Sequence, residues 1–157
     1  MALRAAACQD RAVPEPDQRL FFLLQQAAHR LRVAADRRCL AAAGITSAQL
    51  GALFAVREGG LTQRELAARL GQRESAVTAM VTRLVDAGLV GRSAHPREHR
   101  AVVLELTAAG EEALARVAPE VEEFNAQLRA VLGEEGFRRT AEAVGKLAAW
   151  PDPLTTR

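Results

Sequence analysis

A chain of 157 residues, 49% hydrophobic and 25% charged, is long enough for one domain with a core and a helical extension. No apolar run approaches the roughly 18 residues a membrane span needs, and two cysteines, Cys8 and Cys39, are too few for a disulfide framework. The net charge is only +2 but is unevenly placed: +3 over residues 1–45, +3 over 61–100 and −6 over 101–135, which suits an oriented anionic partner.

Residues 1–16, with Pro14 and Pro16 at their end, read as a flexible tail ahead of a single domain over 17–157. Ala5-Ala6-Ala7-Cys8 resembles a lipoprotein cleavage site. The apolar stretch of about 7–15 residues that export requires is missing before it, so the expected location is the cytoplasm, with no membrane partner. A first helix is predicted from a cap at Asp17 to Ala43, ending at Gly44. Leu20, Leu24, Ala27, Leu31 and Ala34 follow helical spacing, and Phe21, Ala28 and Ala35 widen the stripe enough to require more than one packing neighbour.

Thr46 is placed to cap a second helix through Arg57, stopped by Gly59-Gly60. Thr62 followed by Glu65 is a capping box for a third helix to Leu70, and Gly71 suits the left-handed residue that ends it. A fourth helix spans about Arg73 to Ala87, with Val77, Val81, Leu84 and Val85 inward and Gly88 at its end. Leu89-Val90 opens a strand that returns as 101–106, where Val102, Leu104 and Leu106 alternate with Val103 and Glu105. Thr107 caps a fifth helix with a bend near Pro119, and Gly133 and Gly136 bracket the start of a sixth that runs to about Ala149. The fold expected is mainly α, an α+β winged helix of six helices and a two-stranded β-wing.

Helices three and four, joined by Leu70-Gly71-Gln72, form a helix-turn-helix, whose second member enters a DNA major groove in proteins of this kind. The outward face of that helix offers Arg73, Ser75, Ala76, Thr78, Ala79, Thr82 and Arg83. Short side chains permit deep seating, Ser and Thr can bond bases or phosphates, Ala can meet a thymine methyl and Arg can bond guanine. Thr62, Gln63 and Arg64 are candidates for phosphate at the start of helix three. Arg92, Arg97, His99 and Arg100 make the hairpin basic. A helix-turn-helix alone is also what many α-helical folds contain, and the basic hairpin directly downstream is what favours DNA.

Three strings carry a family likeness: Leu61-Thr62-Gln63-Arg64-Glu65-Leu66-Ala67, Ser75-Ala76-Val77-Thr78, and Leu84-Val85-Asp86-Ala87-Gly88-Leu89-Val90, continued by Leu106-Thr107-Ala108-Ala109-Gly110. With them, residues 46–110 resemble the MarR family of bacterial winged-helix transcription regulators. The family's wing usually reads Asp-Pro-x-Asp-Arg-Arg-Ala; here it is His95-Pro96-Arg97-Glu98-His99-Arg100-Ala101. Arg100 matches the arginine that reaches the minor groove, and Arg73 stands where the family has a Ser cap.

The resemblance implies a sequence-specific regulator, usually a repressor, that binds a pseudo-palindromic duplex operator as a homodimer. Residues 46–107 would be the DNA-binding lobe, and 17–44 with 108–150 the helical dimerisation region built from both termini. Apolar stripes on helix one, at Val117, Val121, Phe124, Leu128 and Val131, and at Phe137, Val144 and Leu147 fit that role. It also implies a small-molecule effector, often an aromatic or phenolic acid, that changes the separation of the two recognition helices. His29, Arg30, Arg32 and Asp36 on helix one could line such a pocket, but most read as surface charges and none is assigned to it.

Two other readings stay open. One is a winged-helix protein-interaction module without DNA binding; the other is a metal- or redox-responsive regulator. His95 and His99 would suit zinc only on a helix, and they flank Pro96 in a loop. Cys39 is expected as a small buried apolar residue. No Ser/His/Asp set, phosphate-binding glycine loop or paired carboxylates occur, so neither an enzyme nor a cofactor is expected.

Overall fold

The computed structural model describes residues 19–94 and 102–150. The expected tail, Asp17, Cys8, the wing tip with Arg97, His99 and Arg100, and the segment after Trp150 lie outside the described residues. The chain divides into two units, Met1–Ala34 and Ala35–Arg157. The first contains the opening turns of α1 (Leu20–Ala43), where Leu20, Phe21, Phe22, Leu23, Leu24, Leu31 and Val33 are all exposed. The Phe21 and Phe22 rings meet edge to face at 5.4 Å. Among the described residues no single helix is long and apolar enough to cross a membrane.

The second unit continues from the end of α1 into α2 (Ser47–Arg57), β1 (Leu61–Thr62), α3 (Gln63–Leu70), α4 (Glu74–Asp86), β2 (Val90–Ala94), β3 (Val102–Leu106) and α5 (Ala108–Ala148). Local chemistry sets most of these boundaries. Thr46 caps α2 by accepting from the Gln49 N–H, while Gln49 accepts from the Thr46 N–H, a reciprocal box that satisfies two otherwise open donors. Asp36 adds to that start by accepting from both the Ser47 N–H (2.7 Å) and its hydroxyl (2.6 Å). The box expected at Thr62 and Glu65 is present in the same form at α3. Gly71 ends α3 in the left-handed region (φ 60, ψ 31), where a side chain would be strained.

Thr107 does two things at once. Its hydroxyl donates to the Gly88 carbonyl at 2.6 Å and accepts from the Gly110 N–H at 3.1 Å, so it caps α5 and ties that helix to the end of α4. Gly110 sits so close to the preceding segment that a Cβ there would fall on the Leu89 carbonyl oxygen and the Leu106 side chain. Only glycine permits this approach.

The core lies among α2, α3, α4, the sheet and the start of α5. Ile45, Leu53, Leu66, Val77, Val81, Leu84, Leu104 and Val117 are its largest fully buried side chains, each worth about 1.5–3 kcal/mol of transfer free energy.

The structure corrects the sequence reading in several places. Among the described residues the helices number five, not six, with α5 taken as one element from Ala108 to Ala148; it is kinked at Gly133 (φ 70, ψ 162), where the boundary between two helices was expected. Pro119 keeps helical dihedrals, so the backbone departs from helix at Gly133 instead. α4 starts at Glu74 because Arg73, at the cap position, makes no side-chain capping bond.

The sheet has three strands in the order β1-β3-β2, all antiparallel. Leu61 and Thr62 pair with Leu104 and Val103 on the edge of β3 away from β2. With β3 central, Val103 is buried along with Leu104 and Val102 is exposed, which breaks the simple alternation expected for a two-stranded hairpin.

Candidate nucleic-acid interface

α3 and α4 pack against each other around a three-residue turn. Gly71 and Gln72 donate back to the Ala68 and Ala67 carbonyls (3.1 and 3.0 Å), which sets the direction in which the chain enters α4. α4 buries Val77, Met80, Val81 and Leu84. Its opposite face leaves Arg73, Ser75, Ala76, Thr78, Ala79, Thr82 and Arg83 exposed, so every residue assigned to that face from sequence is on it. Five of those seven side chains are no larger than threonine, so little stands between the helix backbone and a surface laid against it.

The polar groups on this face are already ordered. Thr78 donates to the Glu74 carbonyl (2.8 Å), Thr82 to the Thr78 carbonyl (3.0 Å) and the Arg83 Nε to the Ala79 carbonyl (3.1 Å). Gln63, the first residue of α3, donates from its side-chain amide to the Thr78 hydroxyl at 2.7 Å. Thr62 and Gln63 are half-buried and Arg64 is exposed. The Thr62 N–H is held by the Glu65 carboxylate at 2.8 Å. Arg64 lies 4.0 Å from Glu74, both side chains more than two-thirds exposed, an ion pair worth little in water. A phosphate would compete for Arg64 at small expense. Arg92 is exposed on β2 opposite Leu104, and the β2–β3 ladder extends to Ala94 opposite Val102. Arg97, His99 and Arg100 belong to the tip, outside the described residues.

A second feature lies away from this face. A cavity of about 180 Å³ is lined by Ala35, Arg38, Cys39, Leu50, Glu120, Val121 and Phe124. Arg38 bonds Glu120 (3.3 Å) and Gln127 (2.9 Å), and its guanidinium stands 5.7 Å from the centre of the Phe124 ring. The acidic segment thus meets a basic residue of helix one. Of His29, Arg30, Arg32 and Asp36, Asp36 holds the start of α2. The cavity lining comes from three helices distant in sequence, and no local pattern announces it.

Cys39 is buried at 4% exposure. Burial foremost, with the nearby Asp36 and Glu120 charges adding, pushes its thiol above the usual 9.0, away from the thiolate that reacts. In a Cys8→Ser background, a disulfide reagent at pH 7.5 should therefore label the native protein slowly and the denatured protein at once. Labelling at the rate of a free small thiol would contradict this environment.

The comparisons agree with the geometry. A model of the MarR family matches residues 43–101. The chain is 32% identical over 106 residues to the HTH-type transcriptional repressor MdtR of Bacillus subtilis (strain 168), covering 67% of this chain and 68% of MdtR. It is 31% identical over 121 residues to the HTH-type transcriptional regulator FarR of Neisseria gonorrhoeae, covering 76% and 83%. Among solved structures, Sco3205, a MarR family transcriptional regulator from Streptomyces coelicolor in complex with DNA, superposes with a TM-score of 0.78 at 26% identity over 89% of this chain and 95% of that one. The helix-turn-helix of α3 and α4, its exposed small-residue face, the adjoining strand hairpin and these relatives lead to one conclusion: the chain belongs to the MarR family of winged helix-turn-helix transcriptional regulators.

Proposed function

We propose that the protein is a homodimeric repressor that binds a pseudo-palindromic operator in duplex DNA and leaves it when a small aromatic or phenolic ligand binds. The observation that carries the proposal is the α4 face, on which small hydroxyl and methyl side chains are flanked by Arg73 and Arg83 and are all exposed. In this reading α4 enters the major groove with Ser75, Ala76, Thr78, Ala79, Thr82 and Arg83 toward the bases. Thr62, Gln63, Arg64 and Arg73 stand by the phosphates. Arg92, Arg97, His99 and Arg100 bring the wing to the adjacent backbone or minor groove.

Residues 46–107 form the reading lobe, and 17–44 with 108–150 form the dimerisation region. Exposed apolar side chains support the latter: Leu20, Phe21 and Leu24 on α1, and Val131, Leu132, Val144 and Leu147 on α5. Two-fold pairing would set the recognition helices about one DNA turn apart, roughly 34–36 Å. The cavity beside Cys39 supports a ligand whose body is apolar, and the similarity to the transcriptional repressor MdtR supports repression. The site of action is the cytoplasm.

Mobility shifts on the protein's own upstream region test the docking. Arg83→Ala should weaken specific binding by about 1–3 kcal/mol while sparing nonspecific binding, the loss expected of a base contact. Arg100→Ala should lower the slope of log affinity against log salt by about one, as for a phosphate contact. Wild-type affinity in both variants rejects this pose.

A further inference from the structure

We infer that Gln63 is a positioning residue for base recognition: it holds Thr78 as a hydrogen-bond acceptor, so that on the strand Thr78 faces it selects adenine or cytosine over guanine or thymine. The inference rests on the DNA-binding reading above.

Donor and acceptor arithmetic carries it. A threonine hydroxyl has one proton and two lone pairs. The Thr78 oxygen lies 2.8 Å from the Glu74 carbonyl, which can only accept, so the proton points there. The Gln63 side chain lies 2.7 Å from the same oxygen. With the proton committed, Gln63 must present its NH2 group, which occupies one lone pair. One lone pair remains, on a side chain that is exposed on the face of α4.

Thr78 is therefore restricted to accepting. In the major groove adenine N6 and cytosine N4 donate, whereas guanine presents N7 and O6 and thymine presents O4, all acceptors. Without Gln63 nothing from α3 holds the rotamer that keeps the hydroxyl on the Glu74 carbonyl, and a side chain turned off that carbonyl can donate to guanine or thymine as well. The brace comes from α3, so it also fixes the rotamer of Thr78 relative to the neighbouring helix and not merely within its own.

Selection of bound duplexes from a randomised pool, with wild type, Gln63→Leu, Thr78→Val and the double variant, tests this. Thr78→Val should abolish the preference at one position in each half-site and so identify the base that Thr78 faces. Wild type should prefer adenine or cytosine there, and Gln63→Leu should reduce that preference by roughly two- to tenfold, the worth of one hydrogen bond, leaving other positions unchanged. In the Thr78→Val background Gln63→Leu should not change base preference any further, although overall affinity can fall through a lost phosphate contact. A further change of base preference in the double variant would mean that Gln63 reads a base itself, and a guanine or thymine preference in wild type would mean that Thr78 donates; either overturns the inference while DNA binding stands. Absence of any salt-sensitive duplex binding by wild type would overturn both this inference and the reading beneath it.

Discussion

Phe21→Glu combined with Leu24→Glu should convert the proposed dimer to a monomer and remove operator binding at concentrations where wild type saturates. Both side chains are exposed in the single chain, at 64% and 36%. Replacing them therefore removes little of the chain's own packing, chiefly the Phe21–Phe22 ring contact and the covered part of Leu24, and glutamate is a good helix former. Across a two-fold interface each substitution occurs twice, so four apolar side chains at about 1.5–3 kcal/mol apiece would be lost. Four carboxylates would also have to be desolvated. The effect on DNA follows from linkage of half-sites: a tethered second head binds at an effective concentration in the millimolar range, and losing it costs about 10²- to 10⁴-fold in affinity. Sedimentation velocity with far-UV circular dichroism decides the case. A folded monomer is expected, and an unchanged dimer would place the interface elsewhere. Val144→Glu with Leu147→Glu on α5 is an independent second test of the same interface.

The second large effect concerns stability. Gly110→Val should lower it by about 3 kcal/mol or more, at the upper end of the range for overpacking. One obstacle, the Leu106 side chain, can turn aside, but the other cannot. It is the Leu89 carbonyl, whose oxygen also accepts from the Thr107 N–H at 3.2 Å, so retreat would break that bond. In a chain of this size the change corresponds to a fall in Tm of roughly 6–12 °C. Gly51→Ala, inside α2 with open space around it, should instead be neutral or stabilising by about 0.5–1 kcal/mol. Thermal unfolding of both variants at one protein concentration makes the comparison; equal Tm values would refute the close approach of α5 to Leu89.

Much of this was legible from short-range patterns. The caps at Thr46 and Thr107, the box at Thr62 and the αL stop at Gly71 each depend on residues within a few positions, and all four occur where local chemistry placed them; the Gln49 half of a box at Thr46 was not foreseen. The outward face of α4 was equally readable, because a period of 3.6 residues assigns each side chain once the buried stripe is known. Met80 joined that stripe without being foreseen.

What escaped the sequence depends on contacts between distant segments. A two-residue strand has no period, so β1 became visible only through its pairing with β3. The merger of two expected helices into α5 turned on whether helix resumes after Gly133, which a glycine leaves open. The reason for Gly110 lies in a carbonyl twenty-one positions earlier. Gln63 and Thr78 meet across the turn, fifteen residues apart, and neither type suggests the other. The cavity lining is assembled from α1, α2 and α5, and its charged pair, Arg38 and Glu120, is separated by 82 residues.

The short strand β1 has a mechanical consequence. It is stitched to the wing on one side and runs directly into the capping threonine of α3 on the other. A tug on the hairpin must therefore drag the start of the neighbouring helix with it, and through Gln63 the recognition helix too. A release signal of the kind proposed would then tilt β3, β1 and the start of α3 together rather than β3 alone.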